Sequence, residues 1–189
     1  IFKACAERNI VLSLHIGGGI NLVKRAEGFD LDDMMILTPL ISTIAATDVM
    51  LSGAIKKFPD LKFAMSEGGV GWVPPWLDRL ERHVSNQEWT GRTFLPKGVS
   101  PTDAWRNNFL ACYITEPSAL SNRDRLGIDT IAWECDYPHS DSTWPNSPET
   151  LMAELKASEC TDEEIDKITH QNVARFFGWD PFKHIPREQ

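Results

Sequence analysis

Four short apolar runs punctuate the chain, at residues 10–14, 61–65, 109–114 and 130–135, and each one stops at a polar rim. Runs of this length bounded by polar and turn residues predict buried strands. The first ends at His15, the second at Ser66-Glu67-Gly68-Gly69, the third at Thr115-Glu116-Pro117 and the fourth just before Asp136. Helical spacing fills the intervals. Residues 1–8 read as the end of a helix. Ile44, Leu51, Ile55 and Phe58 recur at helical steps until Pro59. Pro74 and Pro75 suit a first turn, and Leu77, Leu80 and Val84 continue its apolar face. A short helix is expected over 118–126 and another from Ser147-Pro148 with Leu151 and Leu155 inward. Thr161 and Glu164 form a capping box for a last helix with Ile165, Ile168, Val173 and Phe176 as its stripe and Gly178 as its stop. Residues 86–108, with Trp89, Pro96, Pro101 and Trp105, read as one long connection, and the tail after Trp179 as irregular.

Strand followed by helix, repeated without a hairpin signal, means a parallel sheet. Two closures are open: a doubly wound sheet or part of a (β/α)₈ barrel, which needs about 250 residues and eight strands. The 189 residues make one domain or a large piece of one. The chain opens at Ile1 inside a helical pattern and without an initiator methionine. A missing N-terminal part is therefore expected.

The bulk numbers remove several functions. A net charge of −8 argues against nucleic-acid binding. No apolar run approaches a membrane span. Cys5, Cys112, Cys135 and Cys160 contain no C-x-x-C pair, so a thiolate zinc knuckle is not expected. Cys112 and Cys135 read as small buried fillers, and a reduced, cytoplasmic setting is the default.

The chemistry concentrates where strands end, since α/β folds place their sites there. Asp136 is the leading candidate, as a metal ligand or a proton acceptor; a loop cap is its ordinary alternative. His15, followed by Gly17-Gly18-Gly19, is a candidate imidazole ligand, although a histidine satisfied within a loop is the commoner case. Glu67 is a candidate general base, metal ligand or ion-pair partner, against a carboxylate that caps the next helix. His139 and Asp141 could orient substrate or support ligands. Trp144 and Trp105 could line a pocket, with core packing the commoner use of tryptophan. His83 and His184 read as solvated and His170 as structural. Neither glycine run completes a dinucleotide fingerprint, because Leu22 and Pro74 stand where the third glycine belongs. H-E-x-x-H and G-x-S-x-G are absent.

Several segments together resemble the amidohydrolase superfamily. They are Leu14-His15-Ile16-Gly17, Phe58-Pro59-Asp60-Leu61-Lys62-Phe63, Ser66-Glu67-Gly68-Gly69-Val70-Gly71-Trp72-Val73-Pro74, Asp136-Tyr137-Pro138-His139-Ser140-Asp141 and Ile168-Thr169-His170-Gln171-Asn172-Val173-Ala174-Arg175. The likeness is to the amidohydrolase-related branch that includes aminocarboxymuconate-semialdehyde decarboxylase, and it covers nearly the whole chain. It implies an α/β (β/α)₈ metal-dependent barrel of the TIM type, of which residues 1–189 supply about the last four βα units as one domain. In that frame His15 matches the strand-five metal-ligand histidine and Asp136 the strand-eight aspartate. The strand-one H-x-H pair has no counterpart in the chain. The decarboxylases carry a histidine where this chain has Glu67, a departure that weighs on the mechanism and not on the barrel.

The resulting expectation is a divalent-metal enzyme, with zinc the expected ion, acting on a small carboxylated molecule. His15 and Asp136 are its ligands, Asp136 and Glu67 its catalytic groups, and His139 and Trp144 its substrate contacts. Loss of CO₂ is slightly preferred over hydrolysis of a C–N or C–O bond. The rival from another class is a non-catalytic half-barrel that only binds. Two zinc-competent side chains fall short of the usual three, so the half alone is expected to be inactive. Its open edges also predict dimerisation or aggregation.

Overall fold

A computed structural model describes residues 1–16, 31–180 and 183. The Gly17-Gly18-Gly19 run, His184 and most of the expected irregular tail lie outside the described residues. In chain order the elements are α1 (Phe2–Glu7), β1 (Val11–His15), α2 (Leu31–Ile36), α3 (Thr38–Leu51), α4 (Ala54–Lys57), β2 (Lys62–Ser66), α5 (Val73–Asn86), α6 (Pro101–Asn108) and β3 (Phe109–Tyr113). Then come α7 (Pro117–Leu120), α8 (Arg123–Leu126), β4 (Ile131–Trp133), α9 (Ser147–Ala157), α10 (Asp162–Asp166) and α11 (Asn172–Phe177).

The four strands pair in parallel in the order β1-β2-β3-β4. A doubly wound sheet reverses its order at a switch point. A strictly sequential order has none and is an arc of a barrel. One register row runs Leu14, Met65, Ala111, Ile131 across the sheet. Its side chains and those two residues away, such as Phe63, Phe109 and Tyr113, pack under the helices in one apolar cluster with Met50, Ile55, Leu77, Leu155 and Ile168. Intervening positions point to the other face. That face is mixed: Ser13 and His15 on β1, Ala64 and Ser66 on β2, Cys112 on β3 and Ala132 on β4 are polar or small, and Val11 and the buried Leu110 are its apolar members. Side-chain period two thus separates the packed outer layer from the inner face of the barrel arc.

Tryptophans hold the outer layer together. Trp105 is completely buried and stacks on Phe109 at 5.1 Å, while Phe109 stacks on Phe63 at 5.4 Å. Trp72 and Trp76 meet Trp105 edge-on. Of the two roles open to Trp105, core packing is the one found.

The structure departs from the pattern reading in four places. The long connection at 86–108 contains a helix, α6. Ser100 Oγ accepts the Asp103 N–H at 3.1 Å and Asp103 Oδ2 accepts the Ser100 N–H at 3.1 Å. This is a capping box closed by aspartate, with Pro101 in the first turn. The last helix is not one regular stripe. A π-helical segment, Lys167–Gln171, joins α10 to α11 and rotates the register. Ile168 and Asn172 are therefore the buried residues, and Ile165, Val173 and Phe176 only half-buried. Asn172 Nδ2 donates to Ile128 O and Ile131 O, each at 2.8 Å, pinning this helix to the start of β4. β4 itself is shorter than expected and ends at Trp133, although Glu134 N still donates to Tyr113 O at 3.0 Å. Cys135 is no core filler. It is half-buried, and its Sγ lies 3.3 Å from Ser147 Oγ and 3.5 Å from Ser142 Oγ, tying the loop after β4 to the start of α9. All four cysteines are free.

Candidate functional site

The C-terminal ends of the strands carry a compact group of acids and imidazoles. His15 is the last residue of β1 and Glu67 the first beyond β2. His15 Nε2 lies 2.7 Å from Glu67 Oε1. Asp136 follows β4 by three residues, and His139 Nδ1 sits 3.0 Å from its Oδ2 and 3.1 Å from its Oδ1. Glu67, Asp136 and His139 each offer a donor atom, and these atoms lie within 4.8 Å of one another. Three of the five expected site residues, Glu67, Asp136 and His139, therefore form one cluster, and His15 joins it through Glu67. Trp144 stands apart from this hydrogen-bonded group. It is exposed, with its ring 5.3 Å from that of Tyr137 in the same loop.

Backbone conformation marks the two carboxylates. Glu67 has φ +60° and Asp136 φ +57°. Left-handed backbone is uncommon outside glycine and costs roughly 1–2 kcal/mol for an ordinary residue. Such conformations persist where their surroundings over-determine them, and they cluster at functional sites. Next to Glu67 the surroundings are tight: a Cβ on Gly68 would overlap Ser42 Oγ on α3. Side-chain exposure is only 17% for Glu67 and 13% for Asp136, against 59% for His15 and 66% for His139. The acids are sunk and the imidazoles face outward.

A third acid, Glu134, received no role in the pattern reading. Its Oε1 accepts the backbone N–H of Glu67 at 2.8 Å. Burial, helped by the charges of Glu67 and Asp136, pushes its carboxyl up to about 7, against the lowering pull of that N–H and of His15. Burial and the charge of Glu134 likewise push the Cys112 thiol up to about 12. Glu134 could have been found from parity. It stands two residues after Ala132, so it shares the inner face, and an acid within an apolar strand needs a reason.

Beside Glu67 is a recess of about 150 Å³ lined by Thr38, Ile114, Thr115, Glu116, Asp141 and the Gly68-Gly69 backbone. Among the described residues its lining has three carboxylates, Glu67, Glu116 and Asp141, and no basic side chain. Glu116 Oε2 accepts the N–H groups of Val70 at 2.6 Å and Gly71 at 3.2 Å, just ahead of α5. Glu154 Oε1 in turn accepts Glu116 N at 2.9 Å. Burial holds the Glu116 carboxyl above the ordinary glutamate range, opposed by those two N–H groups. A raised folded-state value favours the protonated form. Its contribution to stability is present at acid pH and is lost as pH rises from the ordinary value near 4.5 through the folded one. Glu116→Gln keeps the acceptor and removes the titration. Urea denaturation across that window is expected to give a flatter decline of stability with pH for the variant than for the wild type.

A larger cavity of about 510 Å³ lies at the far end, against the C-terminus of α5, among Val84, Phe94, Leu95 and Val99 with Lys56, Arg92 and Lys97. It contains none of the clustered residues.

A search of curated proteins finds no match. Solved structures do match. An amidohydrolase from Mycobacterium avium subsp. paratuberculosis K-10 superposes with TM-score 0.76 at 23% identity, over 95% of this chain and 45% of its own. A dihydroxybenzoic acid decarboxylase from Polaromonas sp. JS666, solved with bound manganese and the inhibitor 2-nitroresorcinol, gives 0.62 at 15% identity, over 98% and 55%. A 5-carboxyvanillate decarboxylase from Novosphingobium aromaticivorans DSM 12444, complexed with manganese and 4-hydroxy-3-methoxy-5-nitrobenzoic acid, gives 0.63 at 17% identity, over 94% and 50%. At these identities the likeness is one of fold, and the chain spans about half the length of each structure. That share agrees with a sequential four-stranded arc of an eight-stranded barrel. The family profile described as amidohydrolase matches residues 1–179, and the chain belongs to the amidohydrolase family.

Proposed function

We propose that this chain, acting as one domain, carries the strand-five to strand-eight share of a divalent-metal-dependent active site that removes CO₂ from a small carboxylated molecule. The observation that supports this is the convergence of Glu67, Asp136 and His139 within 4.8 Å, with His15 hydrogen-bonded to Glu67. The donor set fits a divalent cation. Two sunken carboxylates with a third beside them repel one another, and a cation between them relieves that repulsion. Oxygen and imidazole donors suit zinc and manganese alike, and three protein ligands are the usual number at a catalytic zinc. Asp136, Glu67 and His139 would hold the ion, with His15 completing the set on the Glu67 side.

A cation held there supplies Lewis acidity at the reacting group. The protein's own groups supply the rest. Glu67 and His15, 2.7 Å apart, form a pair through which a proton can pass between the sunken cluster and solvent. Asp136 orients His139 through its two oxygens, and Trp144 offers a flat apolar surface on the loop that carries both. The free cysteines fit a reducing, cytoplasmic setting.

Hydrolysis of a C–N or C–O bond is the second reading, and one observation favours it. The recess beside Glu67 is lined by three carboxylates, which suits a neutral substrate better than an anionic one. The test is Mn²⁺ titration of the wild type and His15→Ala, followed by a substrate screen on the full-length barrel that records CO₂ release and hydrolysis separately. Mn²⁺ binding weakened by the substitution, with CO₂ released, is the expected result. Hydrolysis without CO₂ reverses the order of the two reactions. No Mn²⁺ binding and neither reaction leaves the non-catalytic binding protein.

A further inference from the structure

Glu134 is an acid of the cluster for which the proposed chemistry has no use, and its placement is set by the sheet. The β3–β4 ladder continues to it, since Glu134 N donates to Tyr113 O at 3.0 Å, and the neighbouring Trp133 Nε1 donates to Ile114 O at 3.1 Å. Backbone pairing, not loop geometry, therefore aims this side chain across the inner face. There it passes over β3 and reaches the residue that follows β2, taking the Glu67 N–H at 2.8 Å.

We propose that Glu134 is a positioning residue, whose carboxylate fixes Glu67 in its left-handed conformation and so aims the Glu67 side chain at His15 and Asp136. The proposal rests on the reading of Glu67 and Asp136 as ion-holding groups. Two constraints on the Glu67 turn are visible. One is steric, the close fit of Gly68 against Ser42. The other is the hydrogen bond to Glu134, which ties the ends of β2 and β4 together across an intervening strand. Glu67 follows the last residue of β2, and its N–H goes to the Glu134 side chain. Without Glu134 that half-buried donor loses its partner. The reach needed is that of glutamate; aspartate is one methylene short.

The variants are Glu134→Gln, Glu134→Leu and Glu134→Asp, each in the full chain. Two signals are read: Mn²⁺ affinity by calorimetry, and the Glu67 backbone amide proton by NMR without metal. Glutamine keeps an acceptor and is expected to hold Mn²⁺ affinity within about 3-fold of wild type. Leucine and aspartate are expected to weaken it by about 10–100-fold, the usual effect of losing a group that orients a ligand, and to move the Glu67 amide upfield. If Glu134→Leu fails to fold, Glu134→Asp carries the comparison. A purely structural role would lower the melting temperature while leaving both signals in place, and that result overturns the proposal. So does glutamine weakening the affinity as much as aspartate. If the wild type binds no Mn²⁺, the functional reading fails, whereas the amide shift still decides whether Glu134 holds Glu67.

Discussion

Asp136→Asn is expected to weaken Mn²⁺ binding by at least ~100-fold, equivalent to about 2.7 kcal/mol, with fold stability unchanged to within about 0.5 kcal/mol. The asymmetry follows from geometry. Asp136 sits at φ +57°, a conformation that asparagine tolerates as well as aspartate. The amide has nearly the same shape but lacks the charge that a divalent cation requires. It also loses the charged partner of His139, whose Nδ1 contacts both Asp136 oxygens. Removing a group that only supports a ligand costs 10–100-fold in affinity, and a ligand itself should cost no less. Glu67→Gly goes further in the same direction. Glycine removes the left-handed penalty at φ +60°, so the variant should match or slightly exceed the wild type in urea denaturation while losing the ion. A fall in stability that parallels the fall in affinity would mean that these acids serve the fold and not a site.

The largest effect on the fold is expected from Trp105→Ala, at about 3–5 kcal/mol. Trp105 is completely buried, stacks on Phe109 and receives Trp72 and Trp76 edge-on. Its Nε1 donates to Leu126 O and Thr130 Oγ1, both at 3.1 Å. Alanine leaves a large cavity and strips two buried acceptors of a donor. Domains of this size hold only about 5–15 kcal/mol in total, so the variant would stand near the edge of folding. Trp105→Phe keeps much of the stacking and should cost less, about 1 kcal/mol for the lost hydrogen bonds, since Thr130 Oγ1 still donates to Leu126 O at 3.3 Å. The denaturation midpoints of the two variants measure the difference. A loss below 1 kcal/mol for the alanine variant would show that the ring stack is not what joins α5, α6 and β3.

What the sequence made legible follows from what is local. His15, Glu67 and Asp136 could be picked out because each is a chemically able side chain at a strand end, and strand ends are readable from apolar run length. Their shared rim follows from parallel strands. α6 was hidden because its capping box uses Asp103 in place of glutamate and sits in a stretch rich in proline and glycine. The π-helical segment leaves no pattern to read, since an inserted residue shifts the face without changing composition. Of the expected stripe Ile165, Ile168, Val173 and Phe176, only Ile168 is therefore buried, and Asn172 joins it in place of the others. Glu134 was passed over because its role is a contact with a backbone N–H 67 residues away, and only the β3–β4 register brings the two together.

The Val70 and Gly71 amides, which open the way into α5, also bear on what can settle beside Glu67. Free N–H groups ahead of a helix are a natural seat for phosphate, and here Glu116 already sits in it as an internal anion. A phosphoryl group would have to evict a half-buried carboxylate and then lie among Glu67, Glu116 and Asp141. A residue of the chain's own thus fills that seat, and the two amides serve to hold the end of β3 against the entry to α5.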